Sequence, residues 1–157
     1  MSVMSTKDKD FMNIVSETVN HAMKVQEDFL KHGPFPELSL TEVHVIEAVS
    51  KEKFPTMSNV AKRLQVTVGT LTTNVKSIVK KGFLTKETYT KDRRFTILCI
   101  TPKGYEALDY HDDFHKKLTD ICDLYIPAER LSWVTETFGK INDALEEAHE
   151  KMNATKQ

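Results

Sequence analysis

A chain of 157 residues with 39% hydrophobic and 29% charged side chains is long enough to bury a core and too apolar to stay disordered. Two cysteines do not make a disulfide framework, which excludes a small cystine-stapled secreted scaffold. No apolar run reaches membrane-spanning length, and residues 1–9 lack the apolar centre of a signal peptide, so the expectation is a reduced, cytoplasmic protein.

The first helix is expected from about Asp8 to Lys31, where Phe11, Ile14, Val15, Val19, Ala22, Met23, Val25 and Phe29 trace a broad apolar side. Gly33-Pro34-Phe35-Pro36 ends it. A second helix, Thr41 to Lys51, opens on a capping box, Ser39 with Glu42 three residues on. Val43, Ile46, Ala48 and Val49 form its apolar face, and residues 51–55 connect it to the third helix.

The organising stretch is 56–104. A short helix, Ser58 to Leu64, can be capped by Thr56 or Ser58 and turns Val60, Ala61 and Leu64 inward. Gln65 and Val66 make a turn, and Thr67 caps the next helix. There Val68, Leu71, Val75, Ile78 and Val79 fall on one side. Gly69, Thr70, Thr73, Asn74, Lys76 and Ser77 are left outward, the short donors and acceptors that suit a helix in the major groove. Gly82 stops the helix. Two strand candidates come next, Phe83 to Tyr89 and Phe95 to Thr101, joined by the basic tip Thr90-Lys91-Asp92-Arg93-Arg94. Helix, turn, helix and hairpin together make a winged helix-turn-helix, a DNA-reading module.

The charge distribution agrees. The net charge is −1, yet residues 56–103 hold ten Lys and Arg against two Asp and Glu, a local +8, leaving −9 on the remainder. The basic excess sits where phosphates would be neutralised.

A fifth helix starts near Pro102 and runs through Tyr105, Leu108, Phe114, Leu118 and Ile121 to about Leu124. Pro127 opens a last helix with Leu131, Val134, Phe138, Ile141, Leu145 and Ala148 at spacings of three and four, weakened slightly by Gly139. The fold class is therefore mainly α with a small antiparallel β wing. Residues 1–157 form one domain, with a winged-helix DNA-binding part at 38–104 and a helical dimerisation part at 8–32 and 102–152. Long amphipathic helices at both ends suit a twofold homodimer, which sets two recognition helices about one duplex turn apart on a palindromic operator.

The wing carries a resemblance. Asp92-Arg93-Arg94, five residues, then Ile100-Thr101-x-x-Gly104 resembles the wing signature of the MarR family, and Lys81-Gly82-Phe83-Leu84 matches the step before it. The resemblance implies a dimeric DNA-binding repressor. It places Thr67, Gly69, Thr70, Thr73, Asn74 and Lys76 in the major groove and Ser58 and Lys62 at phosphate. Lys91, Asp92, Arg93 and Arg94 fall on the minor groove or its phosphates, with Asp92 bracing an arginine.

Within the family, residues 66–73 are similar to the recognition helix of repressors of fatty-acid-synthesis genes. That likeness implies long-chain acyl groups on acyl carrier protein as corepressor, with Met23, Phe29, Phe114 and Leu118 bordering an apolar slot. A zinc-sensing branch resembles the chain at His44, His111 and His115, where it has metal ligands, and Glu42, Asp112 or water can complete such a set. The same histidines can simply bond helix 2 to helix 5, or meet an organic effector such as a small aromatic compound. Zinc is not favoured, and no cofactor is required. The peroxide-sensing branch uses a cysteine near the start of the first helix, which this chain lacks; Cys99 and Cys122 read as packing residues. No phosphate loop, metalloprotease motif or nucleophile elbow is present, so catalysis is not expected.

Overall fold

The computed structural model describes residues 6–89 and 95–154. In chain order the elements are α1 Thr6–Lys31, α2 Leu40–Lys51, α3 Met57–Arg63, α4 Val68–Lys80, β1 Leu84–Thr88, β2 Thr96–Ile100, α5 Pro102–Tyr125 and α6 Ala128–Ala154. The expected winged helix with long flanking helices is present, with element ends within two residues for most elements. Two compact units divide the chain, residues 1–114 and 115–157. Among the described residues no helix is long and apolar enough to cross a membrane.

Local chemistry explains where the helices of the first unit begin. Ser39 and Glu42 form the capping box at the start of α2, each side chain bonded to the other's backbone. Thr56 caps α3 by accepting from the Asn59 N–H at 3.2 Å, and Thr67 caps α4 by accepting from Thr70 N–H at 3.1 Å. The turn between α3 and α4 runs through Gln65 in the left-handed region, φ 54°. Gly82, φ 83°, ends α4.

The core of this unit is built from α2, α3, α4 and the strands. Val43, Ile46, Val60, Leu71, Val75, Ile78, Phe83, Leu84 and Leu98 are all buried. Strands β1 and β2 pair antiparallel from Leu84↔Ile100 to Thr88↔Thr96. The connector before α3 joins them: Thr56 bridges Ile97, and Leu98 N–H donates to Pro55 O at 2.9 Å. At the wing base Phe54 sits edge-on to Tyr89, ring centroids 4.8 Å apart, and to Phe95 at 6.0 Å. The hairpin therefore leaves the body from a fixed root.

The start of α5 shows why the wing motif ends in glycine. Thr101 Oγ1 accepts from Gly104 N–H at 3.1 Å and donates to Gly82 O at 2.7 Å. A Cβ on Gly104 would overlap the Phe83 carbonyl oxygen and lie 2.7 Å from Ile100 Cγ2. Each residue of the Ile100-Thr101-x-x-Gly104 pattern thus presses α5 onto the end of α4 and the first strand.

Two expectations fail at single positions. Val68 is 47% exposed, because the first turn of α4 projects beyond the core that Leu71 and Val75 fill. Ser77 turns inward and is half-buried, drawn to the Glu42 carboxylate.

Candidate nucleic-acid interface

On α4 the exposed row is Gly69, Thr70, Thr72, Thr73 and Lys76, with Asn74 half-buried beside it. Thr72 was not among the expected contacts, although Gly69, Thr72, Thr73 and Lys76 share a face at spacings of three and four. The hydroxyls of Thr72 and Thr73 donate back along the helix, to Val68 O at 2.7 Å and Gly69 O at 3.4 Å. Each exposed hydroxyl keeps lone pairs for an incoming donor. At Gly69 an added Cβ would meet only Thr67 Oγ1 among the described residues, at an ordinary 3.7 Å, so packing does not demand a bare backbone there.

Ser58 and Lys62 are exposed on α3. Arg63 is committed elsewhere, donating from Nε to Glu52 Oε1 at 2.6 Å and from Nη2 to Lys51 O at 3.3 Å. Lys91, Asp92, Arg93 and Arg94 lie outside the described residues. Cys99 is half-buried on β2; burial, with Glu87 beside it, pushes its thiol pKa up from the ordinary value.

A second group lies where α1, α2 and α5 meet within the first unit. His111 is fully buried, and its ring lies 5.5 Å from that of His44. His111 Nδ1 is 3.4 Å from Gln26 Nε2. Glu47 completes the cluster: potential ligand atoms of His44, Glu47 and His111 all lie within 4.8 Å of one another. A pocket of about 270 Å³ reaches it, lined by His44, Glu47, Ala48, Lys51, Arg63 and Leu64. Of the expected histidines, the structure thus brings together His44 and His111. His115 is exposed on residues 115–157, and Glu42 is held by other partners. Glu47 went unnoticed in the sequence, though its signal was there: it lies three residues beyond His44 on α2, hence on the same face. Two imidazoles and a carboxylate beside an open pocket are a donor set that fits Zn²⁺ with one position left for water.

The proposed apolar slot is partly filled by its own residues. Phe29 stacks on Tyr110 with centroids 4.5 Å apart and tilts against Phe114 at 5.5 Å. Tyr110 Oη donates to Phe29 O at 3.1 Å, and Gly33 leaves room for the Tyr110 ring. Met23 is exposed on α1, and Leu118 is half-buried on the stretch of α5 beyond residue 114.

Three carboxylates in the first unit carry a pH consequence. Burial raises Glu42, but hydrogen bonds from Lys81, Ser39 and Ser77 outweigh it and hold the group below its ordinary value of 4.5. Burial also opposes Glu47, where the hydrogen bond from Lys51 prevails, and the Lys103 hydrogen bond lowers Glu37. A lowered folded value means stability that is full above the unfolded value and is lost as pH falls through the folded one. The melting temperature should therefore hold from neutral pH down to about 5 and fall progressively below 4.5. A melting temperature that rises on acidification through that window would contradict the assignment.

Residues 38–96 match the model of the MarR family. The chain superposes on Streptococcus pneumoniae FabT, solved in complex with DNA, with a TM-score of 0.82 and 26% identity, covering 89% of this chain and 98% of that one. The fold also matches the transcriptional regulator BldR of Sulfolobus solfataricus, TM-score 0.68 and 24% identity over 90% of this chain and 99% of the other. The HTH-type transcriptional regulator YhjH of Bacillus subtilis strain 168 is 23% identical over 88 residues, 56% of this chain; the match spans 50% of that relative's length. The capped helix pair, the rooted hairpin and the glycine that seats α5 thus build a winged helix similar to that of FabT, with residues 38–96 matching the MarR family.

Proposed function

We propose that the chain is a homodimeric, sequence-specific DNA-binding repressor whose α4 enters the major groove of a palindromic operator. The observation that carries this reading is the exposed Gly69, Thr70, Thr72, Thr73 and Lys76 row on a capped helix, inside the stretch that matches the family. Thr hydroxyls and methyls discriminate base edges, Lys76 meets phosphate or guanine, and Ser58 and Lys62 add backbone contacts. The basic wing tip, with Lys91, Arg93 and Arg94 and with Asp92 as brace, tracks the adjacent minor groove.

Anisotropy titration of a labelled palindromic duplex, at fixed salt, tests the reading. Thr73→Ala should cost about 1 kcal/mol on the operator and relax preference at one base position. Lys76→Ala should weaken all sequences and flatten the salt slope by about 1. Equal losses from both substitutions on operator and random duplex would end the assignment of base reading to Thr73.

The finer reading is control of fatty-acid-synthesis genes, with long-chain acyl groups on acyl carrier protein as corepressor. It is supported by the likeness of residues 66–73 and by the match to FabT along nearly its whole length. Within the first unit the apolar side chains of Met23, Phe29 and Phe114 would border the acyl chain, and the Phe29–Tyr110 stack would have to part for it. Tighter operator binding with the acylated carrier, and not with the bare carrier, is the expected result; no difference between the two would reject it.

A second reading is favoured by the His44, Glu47 and His111 cluster: a metal-responsive regulator. Those three side chains would hold Zn²⁺, whose charge would draw α2 and α5 together; Gln26 would orient His111. Purified, zinc-equilibrated protein should then carry about one zinc per protomer, and His111→Gln should lose it. Metal-free protein after equilibration removes this reading.

A further inference from the structure

We propose that Glu42 is a positioning residue for the recognition helix, fixing the orientation in which α4 presents Thr70, Thr73 and Lys76 and thereby the preference for operator over other DNA. The inference rests on the DNA-reading assignment above.

Glu42 stands in the first turn of α2 and is only 5% exposed. Its Oε2 accepts from Ser39 N–H at 2.9 Å, which anchors the carboxylate to its own helix start. Oε1 accepts from Ser77 Oγ at 2.6 Å, and Lys81 Nζ donates to Oε1 at 2.8 Å and to Oε2 at 2.6 Å. One buried carboxylate thus holds α4 at two points four residues apart, one helical turn. A single anchor lets a helix pivot; two anchors a turn apart set both its roll and its slide against α2.

The geometry reaches the reading face directly. Ser77 continues the row of Thr70 and Thr73 at spacings of three and four, so a roll at Ser77 is carried by a rigid helix to both threonines. The bonds are charge-assisted and part-buried, with the carboxylate itself nearly out of solvent, hence stiffer than a surface pair. Sites that read bases tolerate little misplacement, whereas phosphate contacts by flexible lysines tolerate more.

The fold does not depend on this grip alone. Lys81 Nζ also donates to Glu37 O at 2.6 Å. Lys103 Nζ bonds Glu37 Oε1 at 2.8 Å and Lys81 O at 3.2 Å, and lies 4.1 Å from the centre of the Phe83 ring. The end of α4 therefore stays attached when the Ser77 contact is removed.

The experiment compares wild type, Ser77→Ala, Ser77→Thr and Glu42→Gln. Each is titrated by anisotropy on an operator obtained by random-sequence selection with the wild type, and on a scrambled duplex of equal length. Melting temperature is recorded for each. In Ser77→Ala the operator-to-scrambled affinity ratio should fall at least about fivefold, with affinity for the scrambled duplex and the melting temperature held near wild type. Ser77→Thr, which keeps the hydroxyl, should restore the ratio, and Glu42→Gln should lower it further. An unchanged ratio in Ser77→Ala, or equal losses on both duplexes, overturns the positioning role. A wild type that binds both duplexes alike overturns the DNA-reading assignment itself, and this inference with it.

Discussion

Gly104→Ala should destabilise the protein by about 3 kcal/mol, lowering the melting temperature by roughly 10 °C at fixed protein concentration. The cause is space, not backbone conformation: the new methyl would run into the Phe83 carbonyl oxygen and Ile100 Cγ2. A backbone carbonyl between α4 and β1 cannot swing aside as a side-chain tip can, so α5 must move. That movement strains the Thr101 bonds to Gly82 O and Gly104 N–H. Gly139→Ala is the control, because nothing lies within 4 Å of its Cβ position and α6 continues through it. It should be neutral or stabilising by up to about 1 kcal/mol, the helix propensity gained. A Gly104→Ala protein that melts within about 2 °C of wild type would mean that α5 does not press on this junction.

The same glycine shows how far the sequence reaches. Caps are local, so Ser39 with Glu42 and Thr67 could be placed from a few residues each, and both do cap their helices; for α3 the sequence offered Thr56 or Ser58, and Thr56 is the cap. The hairpin was legible in strand composition, and its two strands pair antiparallel from Leu84↔Ile100 to Thr88↔Thr96. Side-chain direction was harder. A 3.6-residue period puts Val68 inward and Ser77 outward. Whether core exists at the first turn of α4, and whether a carboxylate waits behind its last turn, depends on α2. The histidine group shows a similar limit. His44 and His111 stand out by residue type, and Glu47 is hidden among ordinary surface-looking acids, because only tertiary packing brings it to His111. Gly33 reads as a helix stop, and its second role, leaving room for Tyr110, is again a contact across 77 positions of sequence.

In the homodimer proposed above, Phe138→Asp should dissociate the two copies and with that abolish tight operator binding. Among the described residues of 115–157 no side chain is buried, although α6 runs for 27 residues. Phe138 is 63% exposed, and Trp133, Ile141 and Leu145 are exposed with it. A helix pair with no core of its own is marginal in water, so its stability must come from packing against something. In the first unit α1 likewise leaves Phe11, Ile14, Val19 and Met23 exposed. Apolar surface on that scale marks an association site, and a second copy of the chain supplies equivalent surfaces. Burying one phenylalanine contributes about 1.5–3 kcal/mol, and a twofold interface counts every substitution twice. The charge adds a desolvation cost to the lost burial. Together these amount to at least about 4 kcal/mol, near a thousandfold in the dimer dissociation constant. Sedimentation at micromolar concentration should then show monomer, with reduced helicity by circular dichroism. Operator affinity should fall steeply, because two half-sites are no longer engaged by one particle. Phe138→Leu, which keeps the apolar character, should remain dimeric. If Phe138→Asp sediments as a dimer with unchanged operator affinity, the α6 stripe does not form the interface, and the exposed side of α1 becomes the surface that brings the two reading heads together.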